Sequence, residues 1–328
     1  SLGLGIQQIN SGLDYLLGIG YNVGIQVVLI VLITLVAIIS VVSGIHKGVK
    51  FLSTLNMKLA FAFMMAIFLL GPTAYILRLF SNSLGLYFSN LIESSFYLSV
   101  EDKSWQSAWS IFYLAWWISW SPFVGMFIAR ISKGRTVREM VLGVLIVPSL
   151  LSFFWLSVFG GTAFSINAQQ GGSLFAVVEA NLPVALFEMI SFLNLSFLGE
   201  FFRIILYVLA LALIINYFIT SSDSGSLVVD KITSGGIMNS PAKQRVFWAS
   251  MEGLVAATLL LVGGEEALNA LQAAVISAGL PFAVILTVMT ISLIKGIRMA
   301  FTKQTKIRDL QKIQRLTEVS KRMKNIRS

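Results

Sequence analysis

The sequence predicts an all-α polytopic membrane protein, and three observations carry that prediction. First, its 328 residues are 56% hydrophobic and only 12% charged, with a mean hydropathy of +0.84. Soluble domains carry about 25% charged residues. Second, apolar stretches near the bilayer-spanning length of about 20 residues recur at 23–45, 59–80, 105–130, 138–160, 203–229, 245–263 and 267–297. Third, the connections alternate in charge. Four basic clusters hold all of the 24 Lys and Arg except Arg78, Lys103 and Arg203: Lys47 to Lys58, Arg130 to Arg138, Lys231 to Arg245, and Lys295 onward. The connections between them carry Asp14, Glu93, Glu101, Asp102, Glu179, Glu188, Glu200, Glu265 and Glu266. This is the positive-inside pattern, with the basic connections and the C-terminus in the cytoplasm. The net charge of +9 thus reads as topology, not as a nucleic-acid surface. The absence of cysteine excludes disulfides and thiolate metal sites. The single histidine, His46, lies beside Lys47 and reads as a solvated loop residue.

Residues 1–20 open on a Gly-rich apolar run and end in the polar stretch Asp14 to Asn22. They are too short for a span and lack the basic n-region of a signal peptide. They are expected to be the outer half of a helix in a longer protein. The span 59–80 contains Gly71-Pro72-Thr73, a kink or hinge signal. Connections 81–104 and 162–202 are long, with short helical patterns from Leu84 to Leu98 and Phe175 to Phe192, and are expected to hold interfacial or re-entrant helices. Arg130 to Arg138 is a tight basic turn, and Gly160-Gly161-Thr162 is expected to end the span 138–160 at the outer face. In the tail 299–328, Ile307, Leu310, Ile313, Leu316, Val319, Met323 and Ile326 form one apolar stripe at helical spacing against a Lys/Arg face. That pattern fits a helix on anionic lipid or on the protein's own loops, or a solvated tail that only fixes topology.

The chemistry concentrates in two spans. At 100° per residue, Trp105, Trp109, Trp116 and Trp120 fall within about 60° of one another, with Trp117 roughly a quarter-turn away. Trp105 and Trp109 suit an interfacial belt, whereas Trp116, Trp117 and Trp120 lie deeper. Indole faces attract cations by about 0.5–1 kcal/mol when exposed and about 2 kcal/mol when dry. Pro122 removes an N–H and crowds the carbonyl of Ile118, so the helix is expected to unwind near 118–122. Freed carbonyls, with Ser119 and Ser121, would suit a small cation. In the second span, Tyr217, Ser221 and Ser224 share a face, with Thr220 beside it, in a run of hydroxyls around Asp223. Polar groups of this kind mark ion or substrate paths, or hydrogen-bond neighbouring helices. Paired with a broken aromatic helix, they match the discontinuous-helix transporter layout. No phosphate-binding loop, no carboxylate pair in a cleft and no nucleophile–base set is found, so enzyme activity has no support.

The run Trp109 to Arg138 (WSIFYLAWWISWSPFVGMFIARISKGRTVR) resembles the signature of the betaine/carnitine/choline transporter family. Thr220-Ser221-Ser222-Asp223-Ser224-Gly225-Ser226, Ser1 to Leu13, and Phe159-Gly160-Gly161-Thr162-Ala163 resemble other parts of the same family. The resemblance implies a LeuT-type inverted-repeat fold whose N-terminal helices are missing here. It implies residues 1–80 as a partial first repeat, 81–104 as an external linker, 105–298 as the second repeat and 299–328 as a basic cytoplasmic tail. It further implies secondary transport of a quaternary-ammonium osmolyte, coupled to Na+ or H+ or run as exchange. Trp117 resembles a box residue around the trimethylammonium group, Trp116 and Trp120 its neighbours, and Phe123 an aromatic beside one sodium site. Thr220 and Ser221 resemble oxygen ligands of the other, near Tyr217. Expected partners are the substrate, the bilayer of the cell membrane, anionic lipid at the tail and a homotrimer, with no nucleic acid and no cofactor beyond Na+. The alternative is a transport-incompetent fragment, or an osmosensing membrane protein whose basic tail reads lipid charge.

Overall fold

The computed structural model describes residues 2–43, 48, 50–99, 101, 103–195, 199–237 and 240–327, and His46 lies outside them. The helices run in order as α1 (Leu2–Leu17), α2 (Val23–Ser43), α3 (Lys50–Leu70), α4 (Thr73–Ser89), α5 (Leu91–Phe96) and α6 (Lys103–Trp105). A π-helical turn at Gln106–Ile111 leads into α7 (Phe112–Ile131), followed by α8 (Val137–Gln169) and α9 (Ser173–Ala180). A short 3-10 turn then precedes α10 (Ala185–Ser191), α11 (Gly199–Thr233), α12 (Ala242–Ser277) and α13 (Gly279–Arg327). Among the described residues there is no strand. Among the described residues seven helices are long and apolar enough to cross a membrane, so this is an all-helical, multi-pass membrane protein.

Helix boundaries follow local chemistry. The predicted span 59–80 is instead α3, ending at Leu70, and a separate α4. Gly71 closes α3 through its N–H to the Ile67 carbonyl, and Pro72 opens α4 at φ −78°. Proline is tolerated there because a first-turn N–H has no helical acceptor. The Thr73 hydroxyl recovers the Phe68 carbonyl at 2.7 Å. Gly134, at φ +88°, makes the basic turn before α8, which starts on a capping box of Thr136 and Glu139. Gly160-Gly161-Thr162 does not end that helix, which continues to Gln169. A Cβ on Gly161 would meet the Leu79 side chain at 3.1 Å, so the glycine admits α4 rather than stopping α8. Between lipid-embedded helices such close approach, not the hydrophobic effect, drives packing. The expected break between spans 245–263 and 267–297 moves to Ala278, between α12 and α13. Glutamate is a good helix former, so Glu265-Glu266 does not stop α12. Nor is the tail a separate helix, since α13 carries the last span directly into it.

The chain divides into two compact units, residues 1–99 with 125–272, and residues 100–124 with 273–328. In the first, α11 is the central helix and packs against α1, α2 and α3. One core cluster centres on Phe63, Ile67, Ile76, Val158, Phe187 and Ile190. The other joins α1, α2, α11 and α12 through Ile6, Ile9, Ile30, Ile33, Ile219 and Leu260. In the second unit, the Ser119 hydroxyl donates to the Val275 carbonyl at 2.8 Å, joining α7 to the end of α12.

Candidate functional site

Pro122 lies inside α7, which stays helical from Phe112 to Ile131. The predicted unwinding at 118–122 therefore does not occur. A single proline frees the carbonyl four residues earlier, and nearby hydroxyls satisfy the surroundings. Ser121 donates to the Trp117 carbonyl at 2.6 Å, and Ser119 reaches Val275. The irregular segment is instead the π-helical turn Gln106–Ile111. Its wider winding rotates Trp105 and Trp109 out of the register that an unbroken α-helix would give them with Trp116 and Trp120.

The rings pair accordingly. Trp109 stacks on Tyr113 at 5.6 Å, and Trp116, half-buried, packs on Phe112 at 5.2 Å. Trp117 meets Trp120 edge to face at 6.1 Å and 88°. That leaves Trp117 60% exposed and Trp120 41% exposed. Phe123 is half-buried on the same helix.

Tyr217, Thr220 and Ser221 belong to the first unit, on α11. Spacings of three and four place them along one face. Tyr217 is exposed, with its ring edge to face with Phe218 at 5.7 Å. Thr220 and Ser221 are half-buried. The Thr220 hydroxyl donates to the Tyr217 carbonyl, and that of Ser224 to the Thr220 carbonyl, both at 2.9 Å. Each hydroxyl oxygen keeps lone-pair capacity after donating, so these groups can still ligate a cation.

One turn further on, the structure assembles what the sequence reading missed. Asp223 is fully buried and accepts a hydrogen bond from Ser40 on α2. Glu252 on α12 accepts from Ser222 at 2.8 Å. Two carboxylates therefore adjoin the turn 222–226. Glu252 alone among Asp and Glu stands in the predicted span 245–263, and a carboxylate in such a span was the signal available. Ser40, eighteen residues into an apolar helix, gave no comparable signal.

Over residues 1–302 the chain matches the family model described as betaine/carnitine/choline family transporter. It is 47% identical over 298 residues to glycine betaine transporter 1 of Vibrio parahaemolyticus, covering 91% of this chain and 55% of that protein. It is 45% identical over 298 residues to a glycine betaine/proline/choline/ectoine transporter of the same organism, covering 91% and 52%. A glycine betaine transporter of Bacillus subtilis is 41% identical over 300 residues, covering 90% and 56%. The chain thus spans about half the length of these curated relatives.

Proposed function

This chain belongs to the betaine/carnitine/choline transporter family, and on that premise we propose that it works in secondary active transport of a quaternary-ammonium osmolyte of the betaine, choline or carnitine kind. The observation that carries the reading is the exposed edge-to-face pair Trp117 and Trp120 inside an apolar span. A trimethylammonium group has no N–H to donate and spreads its charge over methyl groups, so ring faces recognise it where a carboxylate would bind any cation. The unbroken α7 removes the discontinuous-helix layout from the argument, which then rests on the ring faces and the family match. Trp116 packs alongside on Phe112 and stiffens the platform.

Coupling falls to oxygen and ring groups. In this reading Thr220 and Ser221, near Tyr217, are oxygen ligands of one site of the driving ion, Na+ or H+, and Phe123 stands beside a separate one. An ion bound there stabilises the substrate-loaded state, and alternating access within a LeuT-type inverted repeat returns it to the other side. Three of these relatives are named for glycine betaine transport, which supports the substrate class. The basic clusters favour a cytoplasmic C-terminus in the cell membrane, with the Lys/Arg face of α13 on anionic lipid and a homotrimer as the assembly. One observation favours the alternative, an osmosensing membrane protein whose basic tail reads lipid charge. The last span runs as a single helix into that basic face, so tension or lipid charge felt at the tail would reach the membrane core.

The test is uptake of labelled glycine betaine, choline and carnitine by cells expressing the protein, with and without sodium. Trp117→Ala removes a contact of about 2 kcal/mol, so apparent affinity falls roughly thirtyfold. Unchanged uptake of all three substrates in that variant refutes the aromatic site.

A further inference from the structure

The turn Ser222 to Ser226 of α11 holds more polar chemistry than the proposed transport site uses. Asp223 is 0% exposed, and its Oδ1 has no hydrogen-bond partner. Its Oδ2 receives only the Ser40 hydroxyl. Glu252 takes the Ser222 hydroxyl and lies against α11 where that helix is thinnest: a Cβ on Gly225 would stand 2.8 Å from Glu252 Oε1. Ser226, also 0% exposed, faces Glu252 without completing a hydrogen bond, and the buried Thr34 hydroxyl on α2 is likewise unpartnered.

Among the described residues neither carboxylate makes an ion pair with Lys or Arg. α2 brings no titratable side chain. α1 brings Asp14, which accepts from the Gly20 N–H, and Tyr15, which donates to Glu188 on α10. α3 brings Lys50 and Lys58, and α12 brings Lys243 and Arg245, whose guanidinium donates to the Val41 carbonyl. Further along α11, Asp230 accepts from Ser240. Among the described residues the one ion pair is Arg203 with Glu200. A carboxylate buried in a span with only a neutral donor is costly. Carboxylate and hydroxyl oxygens with spare lone pairs are what a hard cation takes.

We propose that Asp223 and Glu252, with Ser40, Ser222 and Ser226, form a site between α2, α11 and α12 that takes up one monovalent cation, Na+ or H+. The site is separate from the Tyr217, Thr220 and Ser221 face. It deepens the transporter reading by placing a coupling charge, and it rests on that reading only for its purpose.

The test is infrared difference spectroscopy of the whole chain reconstituted in lipid nanodiscs. One arm exchanges N-methylglucamine for Na+ at fixed pH, and the other titrates pH without Na+. A carboxyl band that responds to Na+ and is lost in Asp223→Asn and Glu252→Gln supports the site as a sodium site. A band that responds only to pH, and is lost in the same variants, supports it as a proton site. Ser40→Ala removes a hydrogen bond to a charged group and shifts the midpoint roughly tenfold. Should either carboxamide variant fail to fold, Ser40→Ala and Ser226→Ala carry the test. Spectra or midpoints identical to the parent in the folded variants overturn the proposal. No osmolyte is needed, so a negative spectrum leaves the transporter reading standing. Conversely, an intact ion signal without uptake of any osmolyte refutes transport and leaves this site in place.

Discussion

Gly225→Ala probes the contact between α11 and Glu252 with an added methyl group. The new Cβ would stand 2.8 Å from Glu252 Oε1, inside the contact limit. The obstacle is the far end of a flexible side chain, so the helices need not separate. The carboxylate withdraws and loses the 2.8 Å bond from Ser222. A hydrogen bond to a charged group contributes about 1.5–3 kcal/mol. Against that, replacing glycine by alanine within a helix gains up to about 1 kcal/mol. The balance is a loss of about 0.5–2 kcal/mol. Gly160→Ala supplies the control, because nothing lies within 4 Å of its Cβ position on α8; it should stabilise by the propensity gain alone. Thermal unfolding of the two variants and the parent, in one detergent, separates the terms. Equal upward shifts in both variants would show that the Glu252 carboxylate gains nothing from lying against α11, and the magnitude argument would fail.

Two further predictions test the frame around the sites. Phe187 is fully buried, with its ring 6.3 Å from Tyr15 and 6.2 Å from Tyr207; Phe187→Ala should destabilise by about 3–5 kcal/mol, read as a lower unfolding temperature, and a loss under 1 kcal/mol refutes its role as a core anchor. Thr136→Ala removes the capping box of α8, in which Thr136 and Glu139 bond each other's backbone N–H at 3.2 and 2.9 Å. It should cost about 1 kcal/mol, and adding Glu139→Ala should cost little more, since both act in one box; fully additive losses would show that they act separately.

Much of the fold was legible because the bilayer imposes a length and a polarity that composition cannot hide. Each of the seven expected spans overlaps one of the seven helices that, among the described residues, are long and apolar enough to cross a membrane, and the family was readable from the tryptophan-rich run Trp109 to Arg138. Boundaries were harder where two signals competed. The sequence 59–80 reads as one apolar stretch, yet Gly71 and Pro72 divide it while Lys50 to Lys58 are drawn into α3. Hydropathy weighs the side chains, but helix continuity is decided by backbone donors. At the sites the signal was chemical type. Indoles, hydroxyls and Asp223 could be named from residue identity, while the Ser40 and Glu252 partners come from helices 183 and 30 residues distant from their bonds on α11. No periodicity within one helix encodes that pairing.

The two prolines show why breaking power cannot be read from residue type alone. Pro72 follows Gly71, which imposes no side-chain preference and lets the chain leave α3 as a new helix begins at Thr73. Pro122 follows Ser121 in the interior of α7, and the Ser121 hydroxyl donates to the Trp117 carbonyl in the same turn. Within an apolar span a carbonyl has no water to turn to, which raises the cost of unwinding and favours keeping the remaining helical bonds. Pro122 lacks one donor, so the Ile118 carbonyl loses its helical partner, and the helix absorbs that loss. The consequence for recognition is concrete. With α7 helical on both sides of Pro122, the proposed selectivity for a methylated cation over a bare metal ion would rest on the exposed faces of Trp117 and Trp120. On the reading proposed above, substrate and coupling ion would then meet different chemistries: rings on α7 for the osmolyte, and oxygens on α11 for the ion.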